Sequence, residues 1–198
     1  MIKLRAYPLR NGALRALLWT GWIAGGIALA QPLDFYEAPL LDGRQCGEGS
    51  TNYNCYNNPE VNAIIHTHAP YASALAATGT ALKTIHMDSA MLYGCAHLAE
   101  WPGVPVADDE GRIISAALGK AKTILLANHG LLTTGTYVEE AAYLAVFFER
   151  AARMQLRAMA AGGVKEVKPE LAAEAREFLL QPAIVRGTFA YWARRLSS

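Results

Sequence analysis

Three features of the sequence predict an α/β fold. Two short apolar runs, residues 61–65 (Val-Asn-Ala-Ile-Ile) and 122–127 (Lys-Thr-Ile-Leu-Leu-Ala), have the length of buried strands. From Thr136 to about Ala160 the pattern is different: Ala141, Leu144, Ala145, Phe148, Ala152 and Met159 recur at three- and four-residue steps, giving a helix with one apolar face. Between these lie further helix and strand candidates, so the two kinds of element interleave as they do in mixed α/β domains.

The bulk properties narrow the class. A chain of 198 residues, 53% hydrophobic and 18% charged, can bury a real core and is not of disordered composition. A formal net charge of +1, with no basic stripe interleaved with aromatics, gives no reason to expect nucleic acid. Cys46, Cys55 and Cys95 form no CxxC and leave an odd thiol, so neither a disulfide scaffold nor a thiolate zinc site is indicated. Cys46 and Cys55 can pair only if the chain is exported.

Residues 1–30 differ from everything after them. Lys3, Arg5, Arg10 and Arg15 make a basic start, residues 16–30 carry no charge, and Ala28-Leu29-Ala30 precedes Gln31 in an A-x-A pattern. This is the layout of a secretory signal peptide, and a misplaced or rearranged leader is the other reading. The uncharged run is shorter than the roughly 18 residues a membrane span needs. Two locations follow: cytoplasmic, or exported if residues 1–30 are cleaved. Residues 31–58 read as a loop-rich linker, with a turn at Asp42-Gly43 and a Gly-, Ser- and Asn-rich stretch over 47–58.

Regular structure starts at Val61. Pro70 suits the first turn of a helix reaching Ala77, with Gly79 as its stop. Residues 84–87 are a candidate short strand and 89–99 a weaker helical or irregular piece. Between Val61 and Ala107 the only charged residues are Lys83, Asp88 and Glu100, so this segment must be mostly buried in a core or subunit interface. Asp108 and Asp109 can cap a helix to Leu118, ended by Gly119. Leu131 to Thr134 can form another strand. Thr136 with Glu139 fits a capping box for the long helix. Helical segments follow over 169–180 and around 189–196.

The chemistry-bearing residues sit where apolar runs stop. Residues 61–70 read Val-Asn-Ala-Ile-Ile-His-Thr-His-Ala-Pro, and 123–130 read Thr-Ile-Leu-Leu-Ala-Asn-His-Gly. Residues two apart on a strand share a face, so His66 and His68 project together. His129 arrives at the end of a second strand. Three neutral imidazoles with one position left open is the arrangement of a catalytic zinc site. The alternative is three unrelated histidines, each hydrogen-bonded in its own place.

With these elements laid out, the chain resembles the class II aldolase/adducin family, the group of L-fuculose-phosphate aldolase and L-ribulose-5-phosphate 4-epimerase. The matching text is Pro59-Glu60-Val61-Asn62-Ala63-Ile64-Ile65-His66-Thr67-His68, then Ala127-Asn128-His129-Gly130-Leu131-Leu132, then Glu149-Arg150-Ala151-Ala152-Arg153. The resemblance is specific over about 59–155 and defines a family-like domain over 59–198. It implies a three-layer α/β/α sandwich with a mostly antiparallel central sheet, and a homo-oligomer. It also implies zinc or another divalent metal on His66, His68 and His129.

The implied activity is that of a zinc-dependent aldolase-type lyase. Its substrate would be a small sugar or sugar phosphate, reacting through a metal-stabilised enediolate. The family's catalytic base precedes a tyrosine by eight residues; Glu48 stands eight before Tyr56, although Gly47 replaces the family's serine. The family's acid-supplying tyrosine falls at Met87, with Tyr93 the nearest substitute. The usual N-terminal part, with its Thr-His-x-Ser strand and phosphate-binding loops, has no counterpart here, so an N-terminally incomplete version of the fold is expected. The alternative function is therefore a catalytically degenerate or truncated relative with a binding or structural role, as in adducin.

Overall fold

The computed structural model describes residues 6–8, 14–16, 61–101, 103 and 108–197. Most of residues 1–30 and all of 31–58, with Glu48, Cys46 and Cys55, lie outside the described residues. Near the N-terminus, β1 (Ala6–Pro8) pairs antiparallel with β2 (Leu14–Ala16). The main sheet contains β3 (Ala63–Thr67), β4 (Ala96–Leu98), β5 (Thr123–Leu126) and β6 (Gly130–Gly135). Its spatial order is β3-β6-β5-β4. The β3–β6 and β5–β6 ladders are antiparallel and β4–β5 is parallel, so the sheet is mostly antiparallel, as expected.

Helices cover both faces of this sheet. On one side α1 (Pro70–Ala77) and α3 (Val138–Ala160) pack with α5 (Pro182–Ser197) over Ala63, Ile65, Leu125 and Leu131. On the other, Ile114 of α2 (Asp108–Leu118) meets Val61, Ile64, Ile124, Leu126 and Leu132. Strand residues alternate between the two cores, which explains why β3 and β5 read as unbroken apolar runs. The result is the three-layer α/β/α arrangement. Phe148, Leu144 and Ala152, all fully buried, anchor α3 on the sheet. Complete burial of a leucine or phenylalanine side chain contributes about 1.5–3 kcal/mol. α4 (Pro169–Leu179) packs beside a 3-10 helix, Met87–Leu92. Among the described residues no helix is long and apolar enough to cross a membrane.

Several local expectations are corrected. Residues 84–87 form no strand. Backbone groups nearby are met by side chains and by a distant loop: Gln155 accepts from Lys83 N–H (2.7 Å) and donates to the Ala81 carbonyl (2.9 Å), while Val167 N–H donates to the Thr84 carbonyl (2.8 Å). The strand of this region is β4 instead, inside the piece read as irregular. His86 caps the 3-10 helix by accepting from Asp88 N–H at 3.1 Å.

The long helix has Tyr137 as its N-cap, and Thr136 and Glu139 form no capping box. Glu140 reaches back instead. One carboxylate oxygen accepts from Thr136 N–H (2.8 Å) and the other pairs with Lys122 Nζ (2.7 Å). The Glu140 side chain is 6% exposed, so removing it strands the Thr136 N–H, while Lys122, 34% exposed, can turn to solvent. Glu140→Ala is expected to lower unfolding free energy by about 1–3 kcal/mol. Glu140→Gln, which keeps one acceptor oxygen, should recover part of that loss in the same urea titration.

Candidate metal centre

Strand β3 delivers the first two imidazoles. His66 is its fourth residue, paired across the ladder with Leu132, and shares a pleat face with Ile64. It is only 6% exposed. Its Nδ1 lies 3.0 Å from the Leu131 carbonyl. A carbonyl only accepts, so Nδ1 carries the proton, and in the neutral ring Nε2 is left with its lone pair. Nε2 is the atom that faces His68, at 3.0 Å from His68 Nε2. His68 lies just past the strand and is exposed, giving the cluster its solvent side.

The third imidazole comes from the β5–β6 turn. Asn128 has φ of 53°, a left-handed conformation that asparagine tolerates better than most residues. His129 N–H donates to the Leu126 carbonyl at 3.1 Å, closing the turn. Helix α1 holds the same turn from outside. Ser73 Oγ donates to the His129 carbonyl (3.2 Å) and Asn128 N–H approaches the Ala76 carbonyl (3.4 Å). Ring centroids of the three histidines are 4.9, 4.7 and 4.7 Å apart. The fold thus brings His66, His68 and His129 together in one group.

Two features make this group fit a divalent ion. One ligand nitrogen from each ring lies within 4.8 Å of the others, with the closest pair at 3.0 Å. Tetrahedral zinc with bonds of about 2.0–2.1 Å sets its ligand nitrogens about 3.3 Å apart, inside that range. The donor set is also suitable: the Leu131 carbonyl fixes the His66 tautomer in the way outer-shell acceptors do at metal sites.

Gly130, next to His129, is required by close approach. A Cβ there would lie 2.5 Å from the Thr67 carbonyl oxygen, 3.1 Å from His68 Cδ2 and 3.3 Å from His68 Cα. The glycine lets the two histidine-bearing segments come together.

Glu149 is a neighbour whose role was not evident from sequence, although it lies in the matched Glu-Arg-Ala-Ala-Arg text. α1 starts two residues after His68, at Pro70, and its N-cap Ala69 offers no side-chain acceptor. The Glu149 carboxylate, from α3, supplies it, accepting from Tyr71 N–H (2.9 and 3.1 Å) and Ala72 N–H (2.8 Å). Burial pushes its pKa up, partly offset by those two N–H groups and by Arg153.

Met87 is 68% exposed at the start of the 3-10 helix, and Tyr93 follows that helix. His97 is on edge strand β4. Cys95 turns its thiol inward, and burial raises its pKa to about 12 against hydrogen bonds with Thr123 and the Leu125 backbone. At pH 8 the native thiol is expected to resist iodoacetamide, with peptide mapping showing Cys95 modified only after unfolding.

Residues 53–156 match the family model described as Class II Aldolase and Adducin N-terminal domain. The chain is 35% identical over 173 residues to meiotically up-regulated gene 14 protein of Schizosaccharomyces pombe, a match covering 80% of this chain and 67% of that one. It is 34% identical over 115 residues to the decarboxylase NovR of Streptomyces niveus, covering 58% and 43%. Among solved structures, the L-fuculose 1-phosphate aldolase from Glaciozyma antarctica matches with a TM-score of 0.59 and 32% identity, covering 68% of this chain and 51% of that chain. The chain thus spans about half the length of that aldolase and less than half of that decarboxylase.

Proposed function

Because the chain belongs to the class II aldolase/adducin family, we propose that it is a metal-dependent aldehyde-lyase acting on a small sugar or sugar phosphate. The observation that carries the reading is the convergence of His66, His68 and His129 with the His66 tautomer already set. Zinc or another divalent ion held by these three rings would supply Lewis acidity, stabilising negative charge that develops on the substrate during C–C cleavage. The protein's part is to present three neutral imidazoles and keep one side of the group open to solvent at exposed His68. Glu48 is the proposed base, moving a proton to or from the substrate. The similarity to an L-fuculose 1-phosphate aldolase supports a sugar phosphate as substrate class.

A second reading has its own support. The matched family model also covers adducin, which supports a binding or structural protein on the same fold. Retention of all three imidazoles favours the enzyme, since a structural role does not need them. Purified full-length protein, loaded with Zn2+, should release an aldehyde from four- to six-carbon ketose 1-phosphates, and Glu48→Gln should abolish this while keeping the metal. Tight zinc without turnover on the whole panel would favour the binding role. We further propose a homo-oligomer in the cytoplasm; a mature N-terminus at Gln31 in cell fractions would indicate export instead.

A further inference from the structure

Two of the three histidines are tied to one short helix. His68 is separated from α1 only by Ala69, and the His129 turn is held by Ser73 and Ala76 of the same helix. α1 has eight residues, too few to be stable by itself, so its placement comes from what it packs on and what caps it. Pro70 removes one of the N–H groups that need a partner at its start. The next two, Tyr71 and Ala72, are both met by one carboxylate from α3. Leu75 and Ala72, both fully buried, hold the rest of the helix in the core.

We propose that Glu149 is a positioning residue for the metal centre, fixing the start of α1 and through it both His68 and the His129 turn. The inference rests on the metal reading above. Glu149 touches no imidazole; its effect passes through Tyr71 and Ala72 to the strand exit at His68, and through Ser73 to the His129 carbonyl. A carboxylate kept half-buried, with its ionisation opposed by that burial, is a costly choice for an ordinary surface cap. Its place in the fold is explained by the joint that it secures.

The test compares Zn2+ affinity of the full-length wild type, Glu149→Ala, Glu149→Gln and Gln155→Ala, using a competing chelator dye. Gln155 is a fully buried brace on the same helix that bonds Lys83 and Ala81, so its loss costs stability away from the histidines. Glu149→Ala should weaken zinc binding by about 10–100-fold, the range for outer-shell changes, and Glu149→Gln by less. Gln155→Ala should keep wild-type affinity. Wild-type affinity in Glu149→Ala, or a loss no greater than in Gln155→Ala, would overturn the proposal.

Should the wild type take up no zinc, the metal reading fails and the metal-free imidazole NMR signals decide the positioning role. Movement of the His68 and His129 signals in Glu149→Ala, with His97 unmoved, sustains it. Unmoved His68 and His129 signals refute it.

Discussion

His66→Ala should abolish stoichiometric zinc binding and, with it, any lyase turnover. The substitution removes a proposed ligand whose tautomer is fixed by a buried backbone carbonyl, so the loss should exceed the roughly 10–100-fold that outer-shell changes cost. It also has a stability cost, because the Leu131 carbonyl loses the imidazole N–H that meets it. That term is about 1–3 kcal/mol. His68→Ala separates the two effects. His68 is exposed, so its truncation should leave stability almost unchanged while still emptying the site of metal. Elemental analysis after gel filtration, beside urea titrations of both variants, measures each part. A full equivalent of zinc retained in His66→Ala would remove it from the ligand set.

Gly130→Ala should damage both the sheet and the metal centre. The added carbon would meet the Thr67 carbonyl oxygen at 2.5 Å, and that oxygen belongs to the backbone of β3 and cannot rotate away. Either β3 and β6 part locally or the His129 turn moves, and each displaces a proposed ligand. Overpacking of this kind costs about 1–3 kcal/mol, or a fall in Tm of roughly 3–10 °C for a chain of this size. The account also predicts a second effect. Zinc should raise the wild-type Tm through linkage, and the increment should shrink or vanish in Gly130→Ala. An unchanged zinc-dependent increment would show that the close approach at Gly130 does not shape the metal site.

The legibility of this chain follows from what kind of signal each feature leaves. His66 and His68 were readable because strand geometry places alternate residues on one face, and the apolar run before them marks the strand. Helix α3 was readable over most of its length because its apolar positions repeat. Its start was not: the carboxylate that reaches back is Glu140, selected by Lys122 just before β5 rather than by the local spacing. Strand β4 has three residues and earns its identity by pairing with β5, which leaves no periodic trace. Residues 84–87 look strand-like in composition, but the backbone around them is satisfied by Gln155 and Val167, distant in sequence. Glu149 illustrates the same limit. Its partners lie 77 and 78 residues away, so its capping role appears only when α1 and α3 pack together.

The central claim is that His66, His68 and His129 hold one divalent ion. Zinc K-edge X-ray absorption on the dialysed full-length protein tests it most directly. About one zinc per chain is expected, with three imidazoles at nitrogen distances of about 2.0–2.1 Å and a fourth light-atom ligand. Absence of retained zinc after loading, or a shell containing sulfur or fewer than three imidazoles, would contradict it.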